Sequence, residues 1–241
     1  MNINDLEEKI RQSESMSLSA AFPILMRKVY LWMAMALAIS GLTAYSVAAS
    51  PGLVQLIYSN SLVMWGCIIA ELVMVWKISN SVAKENRSLA TTTLMFIIFS
   101  ALNGVTLSSI FVVFAPAAIV KTFVITAGTF GVMAAYGYFT SRDLTKIGGL
   151  LFMALIGVII ASVVNMFLHS SGLDLVVSII GVLVFVGLTA WDSQKIKMSL
   201  AMAPDLGETS QNLALTGALS LYLDFVNLFL YLLRFFGGSR D

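Results

Sequence analysis

Residues 213–236 read LALTGALSLYLDFVNLFLYLLRFF. As a helix, this stretch is long enough to cross the roughly 30 Å hydrocarbon core of a bilayer at about 1.5 Å per residue. It nevertheless holds an aspartate, Asp224, near its middle. An ionised carboxylate at mid-bilayer costs about 2.5–3.5 kcal/mol on insertion scales, so such a residue faces the protein interior or water. The stretch therefore predicts a membrane helix that carries a functional residue.

Six more apolar stretches precede this one. All seven run over Val29–Ser50, Leu56–Trp76, Leu89–Phe114, Ala117–Phe139, Gly148–Leu168, Asp174–Trp191 and Leu213–Phe236. Strands of a membrane barrel would be about 10 residues long and would alternate in polarity, which these do not. Hydrophobic residues make up 59% of the chain and charged ones 11%, whereas soluble domains are about 25% charged. The sequence predicts an all-α integral membrane protein with seven transmembrane helices.

The positive charges predict the orientation. Eleven lysines and arginines fall on the side of the N-terminal tail, and three fall on the other side. Since loops rich in lysine and arginine stay in the cytoplasm, we expect a cytoplasmic N-terminus and an outside C-terminus. The eleven are Lys9, Arg11, Arg27, Lys28, Lys77, Lys84, Arg87, Arg142, Lys146, Lys195 and Lys197, and the three are Lys121, Arg234 and Arg240.

The chain divides into a tail and one membrane domain. Residues 1–26 are polar and of mixed charge, and we expect a flexible cytoplasmic tail, followed by a seven-helix domain over residues 27–241. The net charge of +1 gives no field that would attract nucleic acid. His169 and Cys67 are the only histidine and the only cysteine. One residue of each type is too few for a metal site built from histidines and cysteines and gives little basis for a nucleophilic site. We expect no enzyme activity and no cofactor.

Two further acids accompany Asp224. Asp192 follows the sixth stretch, where it is either functional or simply a helix end at the water interface, and Glu71 lies in the second stretch. Calcium prefers oxygen ligands, which these three carboxyl groups could supply.

More polar residues follow Asp224 along the last helix. Asn227 and Tyr231 lie three and seven residues after it, on the same helix face. Arg234 either reaches the membrane surface with its head group or closes the outer end of a polar path.

A nine-residue pattern recurs in the first, third and fifth stretches. It reads AISGLTAYS at 38–46, ALNGVTLSS at 101–109 and ALIGVIIAS at 154–162. The pattern indicates either three related helical hairpins followed by a lone seventh helix, or small residues that recur wherever membrane helices pack closely.

Four motifs together resemble those of the Bax inhibitor family, also called the transmembrane Bax-inhibitor-motif family. They are GALSLYLDFVNLF at 217–229 with LLR at 232–234, DSQKI at 192–196, NGVTLS at 103–108 and AEL at 70–72. The resemblance spans nearly all of residues 27–237. Two departures matter: Trp191 replaces the family's tyrosine before the sixth-helix aspartate, and the family's basic partner of that aspartate has no matching motif here, where Lys77 is the candidate.

The resemblance implies a fold, a location and a function. The last of the seven helices would be enclosed by the other six, in a bacterial inner membrane. The protein would be a pH-sensitive calcium leak channel gated by Asp192 and Asp224, with the lipid bilayer and calcium ions as its partners. Some bacterial members instead modulate a membrane-anchored ATP-dependent protease, so regulation of such a membrane complex is the alternative function.

The chemistry of an aspartate pair favours the leak. Two carboxylates a few ångströms apart cannot both ionise cheaply, so they share a proton and titrate as a unit. Raising the pH would ionise both and favour an open state. An intramembrane aspartyl protease is a distant alternative, because such enzymes carry Gly-x-Gly-Asp where this chain has Leu221-Tyr222-Leu223-Asp224.

Overall fold

The computed structural model describes residues 3–82, 88–203 and 205–237, with side chains from Ala21 onward. Within those ranges the secondary structure is helical. The helices are α1 (Ile3–Ala48), α2 (Pro51–Tyr58), α3 (Ser61–Ser79), α4 (Leu89–Leu107), α5 (Ser109–Val113), α6 (Pro116–Phe139), α7 (Thr145–Leu168), α8 (Ser171–Ala201) and α9 (Glu208–Phe236). Among the described residues, seven spans are long and apolar enough to cross a membrane. The predicted class and number of spans are confirmed.

The helix ends follow from local sequence. Pro51 and Pro116 begin α2 and α6 at a position where proline's missing N–H costs nothing. His169 ends α7 in the left-handed conformation, with φ of 49°. Ser170 then caps α8, because its Oγ accepts a hydrogen bond from Leu173 N at 3.3 Å. These breaks keep the connections short, so successive spans reverse direction.

We call the two ends of the bundle proximal and distal. The proximal end holds Ala21, the C-terminus of α3 and the start of α9. The distal end holds the α7–α8 connection and the C-terminus of α9. The predicted orientation relative to the cytoplasm stays a prediction, as does the flexible tail over residues 1–26. Lys84, Arg87 and Arg240 lie outside the described residues.

Several predicted boundaries were wrong. The first and last spans begin earlier than predicted, at Ala21 and Glu208. The sixth span does not end at Trp191 but continues to Ala201, because Ile196 and Leu200 extend the buried face of the helix past the first lysine. Asp192 therefore lies inside α8, nine residues before its last residue, and not at a helix end. The second span begins at Ser61 instead of Leu56, since Pro51–Tyr58 forms the separate short helix α2.

The last helix lies at the centre of the bundle. In the most apolar 18-residue stretch of α9, 67% of the residues are buried, whereas only 6% are buried in the corresponding stretch of α3. It packs against α1, α3, α4, α6 and α8. The remaining span, α7, packs on the outer side of α8, and its described residues make no close backbone contact with α9. Enclosure of α9 thus involves five of the six other spans.

Candidate functional site

Asp224 lies deep in the bundle, on the face of α9 that packs against α8. The side chain is 5% exposed. Its Oδ2 atom accepts no hydrogen bond from any of the residues that the structure describes. Asp192 on α8 lies close enough for the charges of the two carboxyl groups to interact. The structure therefore brings the two predicted aspartates together across the α8–α9 interface.

Three polar side chains of α8 hold the Asp192 turn against α6 and the α6–α7 connection. Ser193 Oγ donates to Ala134 O at 2.8 Å, and Lys197 Nζ donates to Tyr138 O at 2.7 Å. Gln194 accepts from Leu144 N at 2.9 Å and donates to Arg142 O at 2.7 Å. Because this turn is fixed from α6 and the connection, Asp192 is left on the side that meets α9.

The α6–α7 connection, to which Gln194 is hydrogen-bonded, also has hydrogen bonds within itself. Asp143 Oδ1 accepts from Thr145 N at 2.8 Å. Hydrogen bonds from the Thr145 side chain and backbone hold the pKa of Asp143 below its usual range. Asp143 therefore remains an ionised acceptor over the neutral range, at the turn on which α8 is docked.

Close helix contacts fix α8 further. A Cβ atom at Gly137 of α6 would collide with the Ala190 backbone, and one at Gly148 of α7 would collide with the Trp191 ring. Small residues allow this close approach of membrane helices. Trp191 thus packs on α7, with Lys195 Nζ 5.0 Å from its ring centroid.

A cavity of about 90 Å³ leads to Asp192 from the proximal end. Its polar lining comes from α8 and α9 and consists of Asp192, Lys195, Ser199, Thr216 and Ser220. The Lys195 ammonium acts electrostatically on Asp192. Lys195, three residues after Asp192 on α8, is therefore its basic neighbour.

The residues predicted to continue the polar face of α9 have different roles. Asn227 Nδ2 donates to Leu223 O at 2.8 Å, within its own helix. The Tyr231 ring stacks on Phe185 with centroids 5.8 Å apart, and a Cβ atom at Gly181 would lie 2.7 Å from that ring. Tyr231 therefore closes the α8–α9 interface on the distal side of Asp224.

A larger cavity of about 600 Å³ opens at the distal end. Arg234 and Asp174 line it and form an ion pair at 3.7 Å. His169 and Asn165 also line it. Arg234 thus lies at the distal end of the α8–α9 interface, where it pairs with Asp174 of α8.

Glu71 belongs to a separate polar cluster on the other side of α9. Its Oε2 accepts from Asn103 Nδ2 at 3.1 Å, and its Oε1 accepts from Thr106 Oγ1 at 3.0 Å. Tyr222 of α9 donates its hydroxyl proton to Asn103 Oδ1 at 2.7 Å. Ser40 of α1 lies 2.7 Å from the same hydroxyl. The structure therefore places Glu71 with α1, α4 and α9, in a different cluster from the two aspartates.

Tyr222 and Ser40 were not among the residues singled out from the sequence. A tyrosine in an apolar helix gives little signal, since its ring packs like that of phenylalanine. The recurring nine-residue pattern did carry a signal, because Ser40 and Asn103 stand at equivalent positions in its first two copies. Gly104, beside Asn103, packs directly onto the Ser40 carbonyl. The pattern thus marks where α1 and α4 meet.

These features define a class of protein: a seven-span helical membrane protein with a pair of acids inside its bundle. The family model described as "Inhibitor of apoptosis-promoting Bax1" matches residues 23–241, and the chain belongs to this Bax inhibitor family.

Several curated relatives match over most of their length. The protein named "Inner membrane protein YbhL" from Escherichia coli K12 is 48% identical, over 89% of this chain and 92% of its own. An uncharacterized protein from Borreliella burgdorferi is 47% identical, over 89% of this chain and 91% of its own. A third, uncharacterized protein RP147 from Rickettsia prowazekii, is 41% identical over 90% of each chain.

Proposed function

We propose that this protein is a pH-sensitive calcium leak, gated by the aspartate pair Asp192 and Asp224 on the sixth and seventh spans. The observation that carries the proposal is the environment of Asp224. A carboxyl oxygen buried in a membrane bundle without a hydrogen-bond donor is costly, and ionisable residues kept inside membranes generally mark ion or proton pathways.

The proposed gate is a pair of carboxyl groups whose interaction depends on protonation. With one shared proton, the pair carries one negative charge and holds α8 against α9. Loss of that proton at higher pH leaves two like charges in a low-dielectric interior, where their repulsion is strong. The repulsion favours separation of the two helices, or entry of a cation between them.

The surroundings suit a cation that passes through. Calcium takes six to eight oxygen ligands in a stable site, whereas the described residues include no cluster of three or more acids, histidines and cysteines. Two carboxyl groups with nearby hydroxyls such as Ser220 fit brief coordination better than permanent binding. We therefore treat calcium as the permeant ion.

The two cavities give the path its ends. The proximal cavity reaches Asp192, and the distal cavity reaches Arg234. Between them, the Tyr231 ring packs on Phe185 and over Gly181. In this arrangement the path is closed, and opening requires the α8–α9 packing around Tyr231 to loosen.

Calcium flux into proteoliposomes, followed with an enclosed indicator from mildly acidic to mildly alkaline pH, tests the proposal. We expect flux through the wild type to rise with pH, and Asp192→Asn and Asp224→Asn to remove that dependence. Glu208→Gln is the matched control, because Glu208 is an exposed acid of α9 far from the pair, and it should behave like the wild type. An unchanged pH profile in Asp224→Asn, with the protein still monodisperse, would sink the proposal.

A further inference from the structure

We propose that Tyr222 is a positioning residue for this leak: hydrogen bonding of its hydroxyl to Asn103 sets the rotation and depth of α9 at which Asp224 meets Asp192. The inference rests on the proposed function, and its test is arranged so that either can fail alone.

The geometry of one helical turn links Tyr222 to Asp224. Residues two apart on an α-helix point about 200° apart around its axis. Tyr222 therefore faces α1 and α4, whereas Asp224 faces the opposite side, towards α8. Because one turn of an α-helix is rigid, contacts that fix the position of Tyr222 also fix the position of Asp224.

Packing holds the Tyr222 ring on its side. The side chain is 0% exposed. Its ring meets two phenylalanines of α4 edge-on, with centroid distances of 6.3 Å to Phe96 and 5.7 Å to Phe99. Tyr222→Phe keeps these ring contacts and removes only the hydroxyl, so it isolates the hydrogen bonds.

The bond from Tyr222 to Asn103 has a fixed direction. Asn103 uses its Nδ2 group to donate to Glu71, so its Oδ1 atom must accept. The single hydroxyl proton of Tyr222 fills that role at 2.7 Å. Without it, a half-buried amide oxygen of α4 loses its donor, so the position of α9 relative to α4 is less strongly fixed.

The bond to Ser40 is optional by comparison. Ser40 Oγ has one proton and three acceptors within reach, namely Tyr222 OH at 2.7 Å, Ser100 O at 2.7 Å and Ala36 O at 2.9 Å. Loss of the Tyr222 contact leaves Ser40 with two backbone acceptors. We therefore expect Ser40→Ala to disturb α9 less than Tyr222→Phe does.

Glu71 allows its charge to be separated from its hydrogen bonds. Thr106 Oγ1 lies 3.0 Å from Glu71 Oε1 and 2.9 Å from Asn103 O. In Glu71→Gln, the new amide can donate to Thr106 while Thr106 donates to Asn103 O. The positioning role should therefore survive this substitution, whereas an ion-binding role of Glu71 would be lost.

The spans that pack against α9 carry a limited set of titratable groups that could affect the pH dependence of flux. On the spans that pack against α9, they are Arg27, Lys28, Tyr30 and Tyr45 of α1, Cys67, Glu71 and Lys77 of α3, Lys121, Tyr136 and Tyr138 of α6, and Asp174, Asp192, Lys195 and Lys197 of α8. The α4 span contains none. Of these groups, Asp192 acts electrostatically on Asp224, and Glu71 acts on Tyr222.

The first measurement is the pH midpoint of calcium flux in proteoliposomes. The average free energy contributed by one hydrogen bond between membrane helices is equivalent to a shift of about half a pH unit in a titration midpoint. We expect Tyr222→Phe to shift the midpoint by about that amount or more, and Ser40→Ala and Glu71→Gln to shift it by less. Tyr45→Phe is the matched control, since Tyr45 is 63% exposed, and it should leave the midpoint unchanged. A purely structural Tyr222 would lower thermal stability without moving the midpoint.

The second measurement is independent of flux. Spin labels at Ala90 of α4 and Thr209 of α9, in a Cys67→Ser background, report the distance between the two helices at the proximal end. We expect a narrow distance distribution in the wild type and in Tyr45→Phe, and a broader or shifted one in Tyr222→Phe.

The combined outcomes separate the two ideas. An unchanged distance and an unchanged midpoint in Tyr222→Phe, while Asp224→Asn abolishes the pH dependence, would overturn the positioning role and leave the leak standing. A broadened distance together with no effect of Asp224→Asn would overturn the leak and the role of Tyr222 in it. Loss of flux in Glu71→Gln would also overturn the inference, because Glu71 would then act on the ion directly.

Discussion

The two faces of α9 both carry polar groups into the bundle, but the groups around Tyr222 and around Asp224 differ in their hydrogen bonding. On the Tyr222 face, the two oxygens of Glu71 and both ends of the Asn103 amide have hydrogen-bond partners. On the Asp224 face, a buried carboxyl oxygen has none. Inside a membrane, a satisfied polar cluster holds helices together, whereas an unsatisfied acid marks a place where protons or ions act. The comparison separates a hydrogen-bonded face of α9 from the face that carries the proposed gate.

The largest expected difference between the faces is in stability. Tyr222→Ala removes a fully buried ring and should lower the free energy of unfolding by about 3–5 kcal/mol. Asp224→Asn replaces an acid at a site that offers no donor to its Oδ2, so we expect the free energy of unfolding to change by less than about 1 kcal/mol, or to rise. Reversible unfolding in mixed detergent micelles measures both. Equal losses in the two variants would mean that Asp224 is also structural.

Glycine substitutions sharpen the same comparison. A Cβ atom at Gly104 would lie 2.6 Å from Ser40 O, a backbone atom, so α1 and α4 must move apart. We expect Gly104→Ala to destabilise the protein by about 1–3 kcal/mol.

Gly181→Ala is the counterpart on the Asp224 face. Its new methyl group would meet the Tyr231 ring at 2.7 Å, and a side chain can turn away where a backbone cannot. Its loss of stability in the same assay should be smaller, while its calcium flux should change more than that of Gly104→Ala. The reverse order would show that the α8–α9 face is the more rigid one.

The smallest effect is expected at the distal end. The pair between Arg234 and Asp174 spans 3.7 Å, and the side chains are 48% and 50% exposed. Exposed ion pairs contribute about 0.2–1 kcal/mol. We expect Arg234→Gln to fall in the lower half of that range and to lose its effect at high salt. The double variant Arg234→Gln, Asp174→Asn should be no less stable than either single variant, and a further loss would reveal separate roles for the two residues.

Much of the architecture could be predicted because a membrane span leaves a long apolar signal. All seven spans were found from length and composition. The end of α8 was missed, because Lys195 and Lys197 lower the hydropathy there while Ile196 and Leu200 continue the buried face. The partners of Glu71 were missed for another reason: Asn103 and Thr106 lie 32 and 35 positions away along the chain, and no local pattern records which helix faces which.

The sequence by itself determined that the protein is a seven-span helical membrane protein and that Asp224 is anomalous, since both follow from the cost of placing polar groups in a hydrocarbon layer. The tertiary structure alone decided which polar groups meet. Helix packing places Asp224 opposite Asp192. It also brings Glu71 within hydrogen-bonding distance of Asn103 and Thr106. On the same side of α9, it places the Tyr222 hydroxyl between Asn103 and Ser40. Partners of this kind depend on the rotation and depth of each helix, which are properties of the packed bundle and of no single span.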